Sequence, residues 1–132
     1  MRLYVYNTKI LRIVDGDTVE AEIDLGFHLR MTAIVRMLHY NAPEMKAHAK
    51  TPEEANLGII AKEVLTGYVL DKTGLTIQTQ LDRSDKYGRI LGALYTSKGV
   101  CINARMFEEM EGLWDQLKKQ HPNVYTLTNV GP

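Results

Sequence analysis

The chain has one cysteine, Cys101, in 132 residues, which excludes an internal disulfide and any fold stapled by cross-links. No run of about 18 consecutive apolar residues occurs, so no segment is expected to span a bilayer as a helix. The opening Met1-Arg2-Leu3-Tyr4-Val5-Tyr6-Asn7 meets polar residues too early for the apolar region of a signal peptide. With the lone thiol, this makes the cytoplasm the expected compartment. Neither sign of charge is in excess: 16 Lys plus Arg balance 16 Asp plus Glu. That balance weighs against a protein that coats nucleic acid through bulk charge alone. A polyanionic substrate would have to be held by local arginines and a bound cation. His39 and His48 lack zinc-ligand spacing with Cys101, so a zinc centre is not expected. Cys101 precedes an apolar helix without a base-like neighbour and reads as a packed thiol.

What remains is ordinary globular material, 45% hydrophobic and 24% charged, enough for one domain around a single core. Repeats, low-complexity tracts and linkers are absent. In Thr18–Asp24, Val19, Ala21 and Ile23 alternate with acidic residues, the period of a strand with one buried face. An apolar-rich stretch from Val5 to Val14 precedes it, joined through the turn-forming Asp15-Gly16-Asp17. Leu25-Gly26-Phe27 breaks the chain before a third strand, Leu29 to Leu38, with Ala33, Val35 and Met37 on one side and Ile34, Arg36 and Leu38 on the other. Thr51-Pro52-Glu53-Glu54 has a capping-box pattern with Pro at the first helical position. Leu57, Ile60, Ala61, Val64 and Tyr68 follow at helical spacing, and Gly74 marks a stop. Strands are expected at Leu75–Leu81 and Ile90–Tyr95, then a helix from about Ile102 to Lys119. The apolar stripe of that helix is Met106, Phe107, Met110, Leu113, Trp114 and Leu117. Residues 1–120 are expected to form one domain and 121–132 a flexible tail. The class is mainly β with helices (α+β): a five-stranded OB-fold barrel with a helix between strands three and four and C-terminal helices.

Three segments place charge at strand ends: Asp15-Gly16-Asp17-Thr18, Arg36 through Asn41-Ala42-Pro43-Glu44, and Asp85-Lys86-Tyr87-Gly88-Arg89. Each alone has a plain explanation. Asp and Gly are common turn residues, proline ends strands, and an arginine inside an apolar strand can be half of a structural ion pair. Together and in this order they resemble the staphylococcal nuclease family. Its pattern is an Asp-Gly-Asp-Thr hairpin, an arginine seven residues before the proline of a Pro-Glu segment, and Asp-Lys-Tyr-Gly-Arg before the last barrel strand. The resemblance covers roughly residues 5 to 110.

The resemblance implies a calcium-dependent nuclease acting on DNA or RNA with little sequence choice, leaving 3′-phosphate ends. It makes Asp17, Asn41 and the Ala42 carbonyl the Ca2+ ligands and Glu44 either the general base or the residue that orients the attacking water. Arg36 and Arg89 are placed on the scissile phosphate. Tyr87 either lines the nucleotide pocket or packs beneath its loop. Hard oxygen donors suit calcium, and planar guanidinium groups suit phosphate. Asn41 stands where aspartate is usual in the family, which removes one negative charge and should weaken calcium binding by about one to two orders of magnitude. The family's aromatic platform has no secure counterpart, since Trp114 falls in the apolar stripe. The basic loop is reduced to Lys46, His48 and Lys50. The alternative is a non-catalytic module of the same fold that binds nucleic acid or a protein partner; a monomer is the default in either case.

Overall fold

Alternating side chains in the first forty residues make three long antiparallel strands: β1 (Val5–Asp15), β2 (Thr18–Gly26) and β3 (Leu29–Met37). The structure is a computed structural model that describes residues 3–45, 48–81 and 89–125. Helix α1 (Pro52–Val69) follows, then β4 (Thr76–Leu81), β5 (Ile90–Tyr95) and helix α2 (Ile102–Gln120). The strands close into a barrel in the order β1-β2-β3-β5-β4. Strand β1 serves two neighbours, pairing with β4 over Val5–Asn7 and with β2 from Thr8 onward. Each strand thus has two neighbours, although β3 meets β5 only over Val35–Met37. This is the five-stranded α+β barrel that the element order implied, with α1 between β3 and β4.

The period of two is realised as read. Val19, Ala21 and Ile23 are buried, with Val35 opposite Val19 and Ala33 opposite Ala21, and Met37 is buried further along β3. The intervening acids of β2 face outward, where Glu20 pairs with Arg12 at 3.6 Å and Glu22 with Arg30 at 3.7 Å. Strand β5 runs parallel to β3, with Val35 opposite Ile90. A Cβ on Gly92 would come within 2.8 Å of Val35 Cγ1 and 2.9 Å of Ile77 Cδ1, so only glycine lets β5 lie this deep against the core.

The helices depart from the expected stripes. The buried face of α1 is Glu54, Gly58, Ala61, Leu65 and Val69, rotated from the expected Leu57-Ile60-Ala61-Val64-Tyr68 line. Ile60 is exposed. The rotation has a steric cause. A Cβ on Gly58 would lie 2.7 Å from the Glu44 carbonyl and 2.9 Å from that of Pro43, so the bare glycine, rather than a large apolar residue, faces the barrel. The helix stops at Leu70, and Gly74, with φ +74, turns the chain into β4 instead of ending α1. In α2, Met106, Met110 and Leu117 are buried, whereas Phe107 and Leu113 are exposed. Its buried Asn103 accepts from Leu94 N–H and donates to the carbonyls of Leu38 and Gly92. That side chain fixes the helix start against β5 and the exit of β3. Of the segment beyond residue 120, 121–125 is described; Tyr125 is buried, with its ring edge-on to Trp114 at 5.6 Å. No helix among the described residues is long and apolar enough to cross a membrane.

Candidate active site

The β1–β2 turn, the exit of β3 and one face of α1 meet at a single corner of the barrel. Gly16 permits this approach: a Cβ there would sit 2.6 Å from Ala61 Cβ and 2.7 Å from Ala42 Cβ. The next residue, Asp17, is only 9% exposed. Its Oδ1 accepts from the Thr18 hydroxyl at 2.9 Å, and its Oδ2 accepts from Ala42 N–H at 2.8 Å. Asp15 shapes the turn by accepting from Asp17 N–H at 3.1 Å.

Arg36 leaves β3 on the outward face and turns back into the same corner. Nη1 donates to the carbonyls of Tyr40 at 2.7 Å and Met37 at 3.1 Å. Nη2 lies 3.3 Å from Asp17 Oδ2 and donates to Asn41 Oδ1. The guanidinium therefore ties the loop after β3 to the β1–β2 turn. Of the two explanations open for an arginine in this strand, the ion pair is present, and its carboxylate is Asp17.

Burial pushes the Asp17 carboxyl up to about 7; the adjoining Asp15 side chain adds to the shift, and Arg36 and the Ala42 N–H oppose it. A carboxylate this poorly solvated gains from further positive charge. Tyr40 is also raised, first by burial and then by the Asp17 charge. Its buried hydroxyl has no hydrogen-bond partner among the described residues.

Glu44 follows two residues after Ala42, with its side chain exposed. Its backbone is held from below: Glu44 N–H donates to Glu54 Oε2 at 2.9 Å. Glu54 is 3% exposed. Its Oε1 accepts from Lys50 N–H at 3.1 Å and from the Tyr125 hydroxyl at 2.6 Å. The capping reading of this segment is half realised. Thr51 caps α1 by accepting from Glu54 N–H at 3.1 Å, but the Glu54 carboxylate reaches past the cap to both ends of the Glu44–Lys50 loop. A first-turn acid was visible in the sequence; that it anchors the loop carrying Glu44 required the fold. The Glu54 hydrogen bond and burial also push the Tyr125 phenol up to about 12, burial being the larger cause.

Arg89 stands immediately before β5, whose register sets Ile90 against Val35, the neighbour of Arg36. Tyr87 lies outside the described residues, as does Lys46. The structure thus joins Asp17, Arg36, Asn41 and Ala42 by direct contacts and holds Glu44 two residues on, while Arg89 stands one residue before β5, the parallel neighbour of β3. Among the described residues no three His, Cys, Asp or Glu side chains gather to hold a metal ion. The oxygen donors here come from two carboxylates, an amide and the backbone.

A family model described as staphylococcal nuclease homologue matches residues 34–125. The chain belongs to this family. The match takes in Arg36, Asn41, Ala42, Glu44 and Arg89 but begins after the Asp15–Thr18 turn. Asp17 is linked to the matched segment by its bonds to Ala42 and Arg36. The chain is similar to a protein of Escherichia coli named "Uncharacterized endonuclease", 30% identical over 98 residues, covering 74% of this chain and 54% of that protein. It is also similar to Endonuclease YhcR of Bacillus subtilis, 28% identical over 105 residues, 76% of this chain and 8% of that one. The chain therefore spans about half the length of the first relative and a small part of the second.

Proposed function

We propose that this member of the staphylococcal nuclease family is a calcium-dependent nuclease that hydrolyses phosphodiester bonds of DNA or RNA with little sequence choice. The observation that carries this reading is the meeting of Asp17 Oδ2 and Asn41 Oδ1 on one guanidinium nitrogen of Arg36, with Ala42 bonded to the same carboxylate. Two oxygens that converge on one cationic atom are placed to share a cation. The poorly solvated Asp17 and an all-oxygen donor set fit calcium. Asp17, Asn41 and the Ala42 carbonyl would hold it, with waters completing the shell. Bound there, Ca2+ supplies charge neutralisation for the non-bridging phosphate oxygens.

The chain's own groups account for the rest. Arg36, on β3, and Arg89, just before β5, grip the phosphate through planar, two-pronged contacts that strengthen as charge accumulates. Glu44, exposed on a loop pinned by Glu54, takes the proton of the attacking water. Water adds to phosphorus as the bond to the 5′-oxygen breaks, leaving a 3′-phosphate and a 5′-hydroxyl. Recognition of phosphate and sugar rather than base edges explains low sequence choice. The lone thiol suits a reducing compartment, and the cytoplasm is the proposed place of action, with the monomer as the acting form.

The test is cleavage of single-stranded DNA and RNA with calcium, with magnesium and with chelator, beside Glu44→Gln and Arg89→Ala. Calcium-dependent cutting that chelator abolishes, and that each substitution lowers at least about a hundredfold, is the expected result. No cutting by the parent protein at millimolar calcium and alkaline pH would replace this reading with that of a binding module.

A further inference from the structure

Two turns further along α1 from the corner that carries Asp17, the surface opens into a cavity of about 490 Å³. Lys72, Lys98 and Arg105 line it together with Thr73, Thr96 and Ser97, and among the described residues no Asp or Glu does. The whole chain has 16 basic residues in 132 and no net charge, so three cations in one wall is a local concentration. Two of the acids nearby stand beside the lining cations: Asp71, exposed, precedes Lys72 in the chain, and Glu108 reaches Arg105. Glu108 pairs with Arg105 at 3.7 Å with both side chains more than half exposed, a weak interaction in water. Glu109 accepts from the Tyr68 hydroxyl at 2.6 Å.

The wall is built rather than loose. Thr96 Oγ1 accepts from the N–H groups of Lys98 and Val100, fixing the turn that carries Lys98. Gly74, at φ +74, brings the opposite turn so close that a Cβ would stand 2.8 Å from Ser97 Cβ. No side chain caps α2 at Cys101 and its first turn holds no acid, so the positive pole of the helix adds to the same sign.

We propose that this cavity is a second phosphate-binding site, which takes the backbone of the nucleic-acid substrate beyond the bond being cut. The proposal rests on the nuclease reading above and extends it. Ammonium and guanidinium groups with hydroxyl donors are the set that contacts phosphate oxygens in nucleic-acid complexes. The spacing suits one strand. The catalytic corner touches α1 at Gly58 and Ala61, and the cavity touches it at Gly67 and Tyr68. Along β5 the separation is larger: Arg89 stands just before the strand and Thr96 just after it, about 23 Å apart in extended chain, the rise of about seven stacked nucleotides. A chain without net charge needs such local contacts to hold a polyanion at all.

The experiment is fluorescence anisotropy of a labelled single-stranded DNA 20-mer in chelator, with the parent protein and Lys98→Ala/Arg105→Ala. The double variant should bind about tenfold more weakly at low salt. Its slope of log affinity against log salt should be shallower by about 1.4, or ~0.7 for each lost phosphate contact. Cleavage of a dinucleotide in calcium, and the thermal midpoint, should stay close to those of the parent. Equal affinity and slope for the two proteins, or no binding of the 20-mer by the parent, would overturn the proposal. So would loss of dinucleotide cleavage in step with the 20-mer. A site for free nucleotides would show as AMP binding, followed by NMR, that the substitutions remove while 20-mer binding is untouched; that result also overturns it. A parent protein that binds through this cavity and cuts nothing would sink the nuclease reading and leave the cavity standing.

Discussion

Replacing Asp17 by asparagine should stabilise the metal-free protein while removing its calcium response. The carboxyl rises from 3.8 to about 7 in the fold. Because the folded-state value lies above the unfolded one, the native state binds the proton more tightly. The carboxyl therefore contributes stability below pH about 4, and that contribution is lost as the pH rises through about 7. At about 1.36 kcal/mol per unit, the ionised group costs at most on the order of 4 kcal/mol at pH 8. Asparagine has the same shape and keeps an acceptor for the Ala42 N–H, but it gives up the attraction of Arg36. Asp17→Asn should then gain about 1–3 kcal/mol over the parent at pH 8 in chelator and about nothing at pH 4, read by urea denaturation. Calcium at about 100 times its Kd should raise the parent by about 2.7 kcal/mol and leave the variant unmoved. A variant less stable than the parent by about 1 kcal/mol at pH 8 in chelator would refute the reasoning. It would mean that the Asp17–Arg36 pair is a net source of stability rather than a site in want of charge.

Asn41→Asp restores a negative charge beside Asp17 and should tighten calcium about ten- to a hundredfold, measured by calorimetric titration; unchanged affinity would remove Asn41 from the ligand set. Glu54→Gln presents an amide donor to a site where every neighbour donates, so it should cost about 2 kcal/mol in denaturant melts. It should also lower kcat more than KM, because the Glu44 backbone loses its anchor. Gly58→Ala would gain up to about 1 kcal/mol of helix propensity, but its Cβ must displace the backbone of Pro43 and Glu44. Activity should fall at least tenfold, and a fully active variant would show that the loop can yield without consequence.

The barrel was legible because strands declare themselves locally. Alternation in Thr18–Asp24, the Asp-Gly turn and the Thr51-Pro52 cap are short-range patterns with one favoured conformation, and all three stand where the residues placed them. The candidate site rests on other grounds: Asp17, Arg36, Asn41 and Glu44 are singled out by the ordered motifs that resemble the nuclease family. What the sequence could not carry was mutual position. Arg36 could have been an ion pair or a free phosphate grip, and its Asp17 partner is 19 residues away, across a strand pairing. The face α1 buries follows from backbone proximity at Gly58, which outweighs the apolar periodicity around it. Glu54 reads as a helix-start acid until the N–H groups of Glu44 and Lys50 meet its carboxylate and Tyr125 arrives from 71 residues on. Local chemistry determined the elements and the residue types of the site. Only tertiary packing decided which polar groups are buried together, because desolvation and hydrogen-bond satisfaction are properties of the assembled neighbourhood and not of any one segment.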